Sequence, residues 1–408
     1  MNFHKYAFLY LIFLIFLYSR DYNRVYYNFI NDSQSIDSHF NYSFSEFQNN
    51  NFKHGILFKY TYMSSLIDYS QYFYDKNNIY FLYSYNTQIN ENWNSSFSLY
   101  AENSKKKARE DYFEYWNDNY GGGSADVEKA YITYNDDVFF IKLGRDYFHP
   151  GHYSFNRILF SSRGSSFDQL LFGFKKKNIS ISSFYLSLSP HPIPLGPTSI
   201  DTTRHLNGHR LNYKFKNGYM AINELILYGG SYKSINLALL NPLLPYYVYH
   251  KNHRRFPSNS ILSFEYYYRN NTLSLFFEFV LDDLQIDNKE PSDLEPNEYG
   301  FILELEKKLN DKYVYTINYL MVSNRTFNAP RFAYEKYVHK NLPMGHFLGN
   351  NFWNINLGIK TSHKRGFGGI QFSYLLKGDE ALYSEFNEDF LDYTIEDGYN
   401  EAFPFGDN

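Results

Sequence analysis

Apolar and polar residues alternate most clearly across residues 207–228. In the first arm of this stretch, every second residue lies on one largely apolar and aromatic face: Asn207, His209, Leu211, Tyr213 and Phe215. The residues between them form a polar and charged face: Gly208, Arg210, Asn212, Lys214 and Lys216. Side chains of a β-strand point to opposite faces with a period of two. Asn217-Gly218 follows, and this dipeptide favours the tight turn of a β-hairpin, since both central residues of that turn need positive φ.

The same alternation recurs along the chain and predicts about fifteen strands. They are 53–63, 79–88, 93–101, 126–134, 138–145, 167–175, 179–188, 207–216, 219–228, 260–269, 272–284, 298–309, 312–322, 353–361 and 367–377. Short connections such as 217–218 and 270–271 alternate strictly with long ones such as 229–259 and 323–352. Outer-membrane barrels have this asymmetry, with short periplasmic turns and long external loops.

The predicted fold class is therefore all-β: a transmembrane, antiparallel, up-and-down β-barrel of about 16–18 strands. Closure is required because an open sheet edge would leave unpaired N–H and C=O groups in hydrocarbon. The last predicted strand runs outward, and residues 379–408 are acidic without a strand pattern. Since single-chain bacterial barrels have an even number of strands, we expect the C-terminus to be incomplete by one or three strands.

A predicted export signal and the predicted barrel together lead us to expect the chain in the outer membrane of a Gram-negative type of cell. Residues 1–19 are predicted to be a signal peptide, with Lys5 before an apolar run from Tyr6 to Tyr18. That run is shorter than the roughly 20 residues of a membrane-spanning helix. Residues 20–52 are predicted to be a periplasmic N-terminal segment, and residues 53–408 the barrel domain.

Composition agrees with this fold and excludes several classes of function. The 408 residues include 44 Tyr and 40 Phe, which suit aromatic girdles at the two membrane interfaces. A mean hydropathy of -0.52 argues against helical spans, whereas strands with one lipid-facing side are compatible with it. The net charge of -4 gives no indication of nucleic-acid binding. The absence of Cys excludes disulfides, thiolate metal sites and cysteine nucleophiles.

No catalytic or metal-binding motif is complete. Gly121-Gly122-Gly123-Ser124 lacks the lysine and the helix of a phosphate-binding loop. His149 and His152 have a single nearby carboxylate, Asp146, and so do not form a full ligand set. No spacing of Ser and His residues indicates a hydrolase. We therefore expect no enzyme activity, no metal and no cofactor.

Charged residues in or beside predicted strands are candidates for the barrel interior, because an Arg or Lys facing lipid at the midplane costs about 2–4 kcal/mol. These residues are Arg145, Arg163, Arg210, Glu224, Glu278, Asp282 and Asp283. Two interpretations remain open. The charges form salt bridges that fill the barrel, or they line a pore or ligand path.

The long connection 229–259 combines aromatic rings with basic side chains. Its candidate polysaccharide-binding residues are Tyr246, Tyr247, Tyr249, His250, Lys251, His253, Arg254 and Arg255. Aromatic rings can stack on sugars, and guanidinium groups pair with sugar carboxylates. A solvated charged loop or a contact with lipopolysaccharide would have the same composition, so these alternatives stay open.

The order of several short motifs resembles the capsule assembly Wzi family. The matching stretches are Leu143-Gly144-Arg145-Asp146 with Pro150-Gly151, Ile158-Leu159-Phe160-Ser161-Ser162 with Phe167-Asp168, His209-Arg210-Leu211, Glu224 with Tyr228-Gly229-Gly230, Leu240-Asn241-Pro242, Leu281-Asp282-Asp283, Asn318-Tyr319 with Tyr337, and Leu348-Gly349. The resemblance implies an 18-stranded outer-membrane barrel that binds capsular polysaccharide at the cell surface and helps to attach it. It implies a lectin-like role without catalysis.

Two functions are therefore carried forward. The first is a surface protein that binds capsular or extracellular polysaccharide through the loops 189–206, 229–259 and 323–352 and supports capsule assembly. The alternative is a porin or channel for small solutes. The expected partners are polysaccharide, outer-membrane lipid and lipopolysaccharide, with no nucleic acid, and the expected state is a monomer.

Overall fold

The structure is a computed structural model. The residues it describes are 52–62, 77–102, 124–154, 156–161, 165–195, 198–230, 234–253, 256, 258–284, 296–310, 312–329, 333–340, 342–363, 366–378 and 382. The predicted signal peptide, almost all of the predicted N-terminal segment, and Arg163, Arg254 and Arg255 lie outside these residues.

Antiparallel strands form one continuous wall, in which each wall strand pairs with the next along the chain. The wall strands are β1 (Phe52–Tyr62), β2 (Asn77–Gln88), β3 (Trp93–Glu102), β4 (Ser124–Asn135), β5 (Phe139–Asp146), β6 (Phe167–Lys176), β7 (Ile179–Leu195), β8 (Thr198–Phe215), β9 (Gly218–Gly229), β10 (Ser258–Arg269), β11 (Leu273–Asp283), β12 (Glu298–Lys308), β13 (Tyr313–Val322), β16 (Phe352–His363) and β17 (Gly366–Lys377). A separate two-stranded sheet joins β14 (Val338–His339) to β15 (Leu342–Pro343).

This meander confirms the predicted all-β, up-and-down fold class. The described part of the wall contains 15 strands, and no pairing between β17 and β1 closes it within those residues. The chain also forms the helix α1 (Tyr246–Asn252) and the 3-10 helices Leu237–Leu240 and Ala333–Glu335. No helix in the described part of the chain has the length and apolar character needed to cross a membrane.

The wall is apolar outside and polar inside. On β8, Leu211 and Tyr213 are 49% and 44% exposed, whereas Arg210 and Asn212, which alternate with them, are each 1% exposed. The outer face continues with exposed apolar residues on neighbouring strands, and the inner face continues with buried polar ones. A water-soluble sheet would bury its apolar side, so this distribution is that of strands surrounded by lipid.

The short turns share one capping device. Asn90, Asp136, Asn270 and Asn310 each accept backbone N–H groups two and three residues ahead through a side-chain oxygen, at 2.6–3.0 Å. Asn and Asp favour such turns because their side chains replace the backbone hydrogen bonds that a tight reversal leaves open. These turns lie at one end of the wall. The opposite end, with the long connections, is the external end.

Two long connections fold back inside the wall rather than extending away from it. The first plug loop, residues 147–161, contributes the fully buried Ile158 and Leu159. The second plug loop, residues 323–351, contributes Tyr337, whose hydroxyl donates to the Leu159 carbonyl at 2.9 Å. The two loops also join through the Ser161 N–H and the Met344 carbonyl at 2.9 Å. The hydrophobic core is therefore the space between wall and plug loops.

The orientation of the wall can be tested by placing a charge on its outer face. Phe264 on β10 is 38% exposed and faces outward, and Leu309 in a short turn is 61% exposed. We expect Phe264→Arg to lower the free energy of unfolding in lipid vesicles by about 2–4 kcal/mol, and Leu309→Arg by at most about 1 kcal/mol. Denaturant titration measures both. Equal small losses at the two positions would mean that Phe264 faces water.

Candidate functional site

An arginine of the first plug loop lies at the centre of the interior. The Arg157 guanidinium donates to Glu265 of β10 at 2.7 Å and to Glu278 of β11 at 2.6 Å. All three side chains are at most 1% exposed. Burial opposes the charge of Arg157, but the two carboxylates together raise its pKa above the ordinary value. Removal of this arginine would leave two carboxylates buried close together, which is strongly unfavourable.

A second arginine, on the wall, completes the charge balance. Arg210 of β8 donates to Glu265 at 2.6 and 3.1 Å and to the Asn223 amide oxygen at 2.8 Å. Asn223 and Tyr219 of β9 also donate to Glu265, at 2.9 and 3.2 Å. Two buried guanidinium groups thus face two buried carboxylates. Arg157, Arg210, Glu265 and Glu278 are named the charge cluster below.

The backbone of the first plug loop is fixed by the same residues. One Glu278 oxygen accepts the N–H groups of Ile158 and Leu159 at 2.7 and 3.2 Å. Gly151 has a φ of +83°, and a Cβ at this position would lie 2.5 Å from the Tyr219 hydroxyl and 2.7 Å from Glu265. Glycine is therefore required here both for its backbone conformation and for the close approach to the charge cluster.

Two histidines of the first plug loop lie among aromatic rings. His152 stacks on Tyr267 with ring centroids 4.5 Å apart, and His149 stacks on Tyr147 at 5.9 Å. Burial, with a smaller contribution from the positive charge of Arg157, lowers the pKa of each histidine from 6.5 to about 3. The docked loop therefore holds two neutral imidazoles at neutral pH.

The second plug loop is attached to the wall through Arg204 of β8. This side chain, 1% exposed, donates to the carbonyls of Tyr334 at 2.6 Å and Val338 at 2.9 Å, and also to the Lys336 carbonyl. A single guanidinium with several donors can satisfy carbonyls that a buried loop cannot pair internally. The loop is thereby held at the external end of β8 and β9.

A group of charges surrounds the external end of β4–β6. Arg145 makes a bidentate pair with Asp168, with both distances 2.8 Å, and reaches Asp126 at 3.1 Å. Lys340 of the second plug loop donates to the other Asp126 oxygen at 3.1 Å. The side chain of Asp168 is 59% exposed. Arg145, Asp126, Asp168 and Lys340 are named the rim cluster below.

The seven charges expected inside the barrel are divided between its two faces. Arg210, Glu278 and Asp282 lie on the inner face, where Asp282 accepts the Phe327 N–H of the second plug loop at 2.6 Å. The interior expectation is wrong for Arg145 and Glu224, which share the outer face with Leu143 and Ile222 respectively. Arg145 is tolerated there because it is paired at the end of its strand, and Glu224 because a loop covers it.

Asp283 also differs from the interior expectation, because it is exposed on the outer face where β11 ends. A register shift lies between Leu281 and Asp283 in the pairing with β12. Arg163, the remaining charge of the seven, lies outside the described residues.

The six described candidate polysaccharide-binding residues, which exclude Arg254 and Arg255, lie on a segment that packs against the outside of the wall. Tyr246 is completely buried there, and Tyr249 packs on His253 with ring centroids 4.2 Å apart. Tyr247 is 49% exposed, and the Lys251 ammonium lies 5.3 Å from its ring centroid. His250 contacts the Ser258 hydroxyl at 2.7 Å. The segment is therefore attached sideways to the barrel and does not project from its mouth.

Sequence reasoning missed Arg157 and Glu265. Glu265 could have been found, since it alternates with the outward Phe264 and shares its face with Ser263 on a predicted strand. Arg157 carries no such signal. It lies in a connection of irregular pattern, which was expected to be external.

Comparisons with known proteins show the fold. No family model and no curated protein matches this chain. Among solved structures, the chain resembles Wzi of Escherichia coli, an outer-membrane protein involved in group 1 capsule assembly and described as a carbohydrate-binding β-barrel. The TM-score is 0.52 with 9% identity, over 90% of this chain and 77% of that one.

Two other outer-membrane proteins match with lower TM-scores. OmpF of Salmonella typhi, in complex with daunomycin, gives 0.40 with 10% identity over 80% of this chain and 95% of that one. OmpT of Vibrio cholerae gives 0.30 with 8% identity over 79% and 94%. The likeness to Wzi shows that the chain has the fold of an outer-membrane β-barrel, which supports the predicted location. Membership of the Wzi family stays a prediction.

The charge cluster predicts a large loss on removal of its loop arginine. We expect Arg157→Leu to lower the free energy of unfolding by about 3–5 kcal/mol, because the buried Glu278 loses its guanidinium partner and the buried Glu265 keeps only Arg210. The matched control Arg145→Leu removes a partly exposed ion pair, for which about 0–1 kcal/mol is expected. Denaturant titration in vesicles compares the two variants. Equal effects would contradict a special role of the interior arginine.

The buried histidines predict that docking of the first plug loop weakens in acid. Between their folded pKa of about 3 and the ordinary 6.5, the undocked loop binds protons that the docked loop does not. As the pH decreases through that window, the docked state therefore loses stability relative to the undocked state. The loss is about 1.4 kcal/mol for each pH unit and each histidine. Ionic conductance through planar bilayers, measured from about pH 7 to about pH 4, should rise. The variant His149→Asn/His152→Asn should lose most of this dependence. If the conductance of this variant depended on pH as strongly as that of the original protein, the histidines would not be the cause of the acid effect.

Proposed function

We propose that this protein is a non-catalytic surface protein of the outer membrane that binds capsular or extracellular polysaccharide and supports its attachment. The observation that carries the proposal is the filled interior. Two loops from the external end occupy the space that a solute would need. Buried ion pairs hold the first loop there, and hydrogen bonds from Arg204 to backbone carbonyls hold the second. The likeness in fold to a carbohydrate-binding barrel supports the same function.

The filled interior disfavours the alternative of a solute channel. A pore needs a continuous water-filled path lined by solvated groups. Here the charged groups at the centre, Arg157, Glu265 and Glu278, are at most 1% exposed and are paired with one another. Together with Arg210, which also pairs with Glu265, they form two positive and two negative charges that cancel inside the protein, so they stabilise the plug rather than present a charge to a passing ion.

The surface best suited to a polysaccharide is the rim cluster. It combines a guanidinium, an ammonium and two carboxylates at the external end, next to the second plug loop. Planar charged groups bind sugar hydroxyls and carboxylates through directional hydrogen bonds. Arg145 is 24% and Asp168 59% exposed, so both can exchange part of their mutual contact for a ligand. This assignment moves the proposed contact from connection 229–259 to the external ends of β5 and β6.

Binding should be measured on purified protein in detergent micelles, with alginate as an acidic probe, dextran as a neutral probe and extracellular polysaccharide from the source bacterium. We expect retention of the source polysaccharide, and at least a tenfold weaker affinity for Arg145→Ala, which corresponds to about 1.4 kcal/mol. The matched control Lys308→Ala changes an exposed cation at the opposite end of the wall. It should bind normally.

Conductance separates the two functions. The intact protein should give no steady ionic current in planar bilayers at neutral pH. Steady current together with no retention of any of the three polysaccharides would contradict the proposal and favour the channel.

A further inference from the structure

Residues 234–253 form a second layer outside the wall, here named the outer segment. It contains the 3-10 helix Leu237–Leu240 and α1. Wall residues Ile226 and Tyr228 are completely buried beneath it, although they share the outer face of β9 with Met220 and Ile222, which are 40% and 48% exposed. The outer segment therefore covers the outer face of β9 over the external half of the strand.

Polar groups on the wall fix the outer segment in place. The Tyr246 ring lies 4.4 Å from His209, and its hydroxyl donates to the Leu239 carbonyl at 2.5 Å. The Tyr247 N–H donates to Glu224 at 2.8 Å, and the other Glu224 oxygen lies 2.9 Å from His209. These contacts explain why His209 and Glu224 are tolerated on a largely apolar face. The outer segment covers both side chains, and each has a polar or aromatic partner there.

Strand register places this contact at the level of the lipid. Glu224 is directly opposite Leu262 of β10, which is opposite Leu281 of β11. Leu262 is 46% exposed on the outer face. Glu224, which α1 covers, and Leu262, which faces lipid, are thus direct neighbours on adjacent strands. The outer segment is continuous with the lipid-facing surface of the barrel.

The free side of the outer segment is itself apolar. Its exposed residues, with exposed fractions from 43% to 77%, are Ile235, Leu237, Leu243, Tyr247 and Val248. In water, such a cluster of exposed apolar side chains would be unfavourable. Lys251 lies over the Tyr247 ring, and His250 is in the same last turn of α1. An apolar surface bordered by an aromatic ring and a cation is typical of elements at a membrane interface.

We propose that the outer segment is a membrane-interface anchor. Its apolar side inserts among the acyl chains of the outer leaflet, and Lys251 meets the phosphate of a lipid headgroup. The partner is thus a phosphorylated outer-leaflet lipid. Tyr247 and Lys251 make this contact, whereas the buried Tyr246 holds the segment on the wall, so these residues serve the anchor instead of binding polysaccharide. The proposal does not depend on the polysaccharide function.

Depth-dependent quenching tests the anchor, and the natural absence of Cys makes single labels possible. A fluorophore is attached to Leu243→Cys or Val248→Cys in the full-length protein, reconstituted into vesicles of lipopolysaccharide and phosphatidylethanolamine. Leu262→Cys on the lipid-facing wall and Val138→Cys in a short turn are the matched controls, with parent side chains 46% and 61% exposed. Circular dichroism verifies the β-fold of each variant.

The anchor predicts that labels at 243 and 248 behave like the label at 262. Bromine- or nitroxide-bearing acyl chains should quench them at least threefold more than the label at 138, and aqueous iodide should quench them at least threefold less. Adding Lys251→Glu should reduce acyl-chain quenching at 248 by about half, whereas the control Lys308→Glu should leave it unchanged. Quenching of 243 and 248 by iodide to the extent seen at 138 would overturn the proposal. Protection that appears only on addition of polysaccharide would also overturn it.

Discussion

The structure depends on the neutralisation of two carboxylates inside a wall that faces lipid. Glu265 and Glu278 point away from the membrane, where a carboxylate without a partner would be unfavourable. Inside the barrel they are removed from water as well, because the plug loops fill the space. Two buried carboxylates need two buried cations. Arg210 of the wall supplies one of them and Arg157 of the first plug loop the other, so the charge cluster couples the barrel to its filling.

This coupling explains why several short motifs are spaced so far apart in the sequence. The first plug loop with Gly151 and Ile158, β8 with Arg210 and β11 with Asp282 are separate parts of the chain. Each of these residues belongs to the charge cluster, contacts it, or lies where a plug loop meets the wall. The motifs that resemble the Wzi family therefore include residues that dock the plug loops. They support a filled barrel directly, and they also include Arg145 and Asp168 of the rim cluster.

Much of the fold could be predicted from the sequence because a membrane wall enforces strict alternation. Leu211 and Arg210 were placed on opposite faces by their spacing alone, and the structure agrees. The prediction was wrong for Arg145 and Glu224 because it assigned every charge on the outer face the full cost of contact with lipid. That cost is small near the end of a strand and under a covering segment. One lies at a strand end, and the other lies under α1. The inward path of residues 147–161 was not predictable, since an irregular loop leaves no periodic signal of what it contacts.

The wall and its attachments thus differ in how they are stabilised. Lipid on one side and the plug loops on the other fix the strands, whereas specific polar contacts fix the loops. The most direct test of this account is a double-mutant cycle between Arg157 and Glu278, with each residue replaced by Leu singly and together, and unfolding measured in lipid vesicles. The account predicts that the double variant is more stable than the sum of the single losses implies, by about 1–3 kcal/mol. Strictly additive losses would mean that the two side chains do not interact, and would contradict a plug held by their charges.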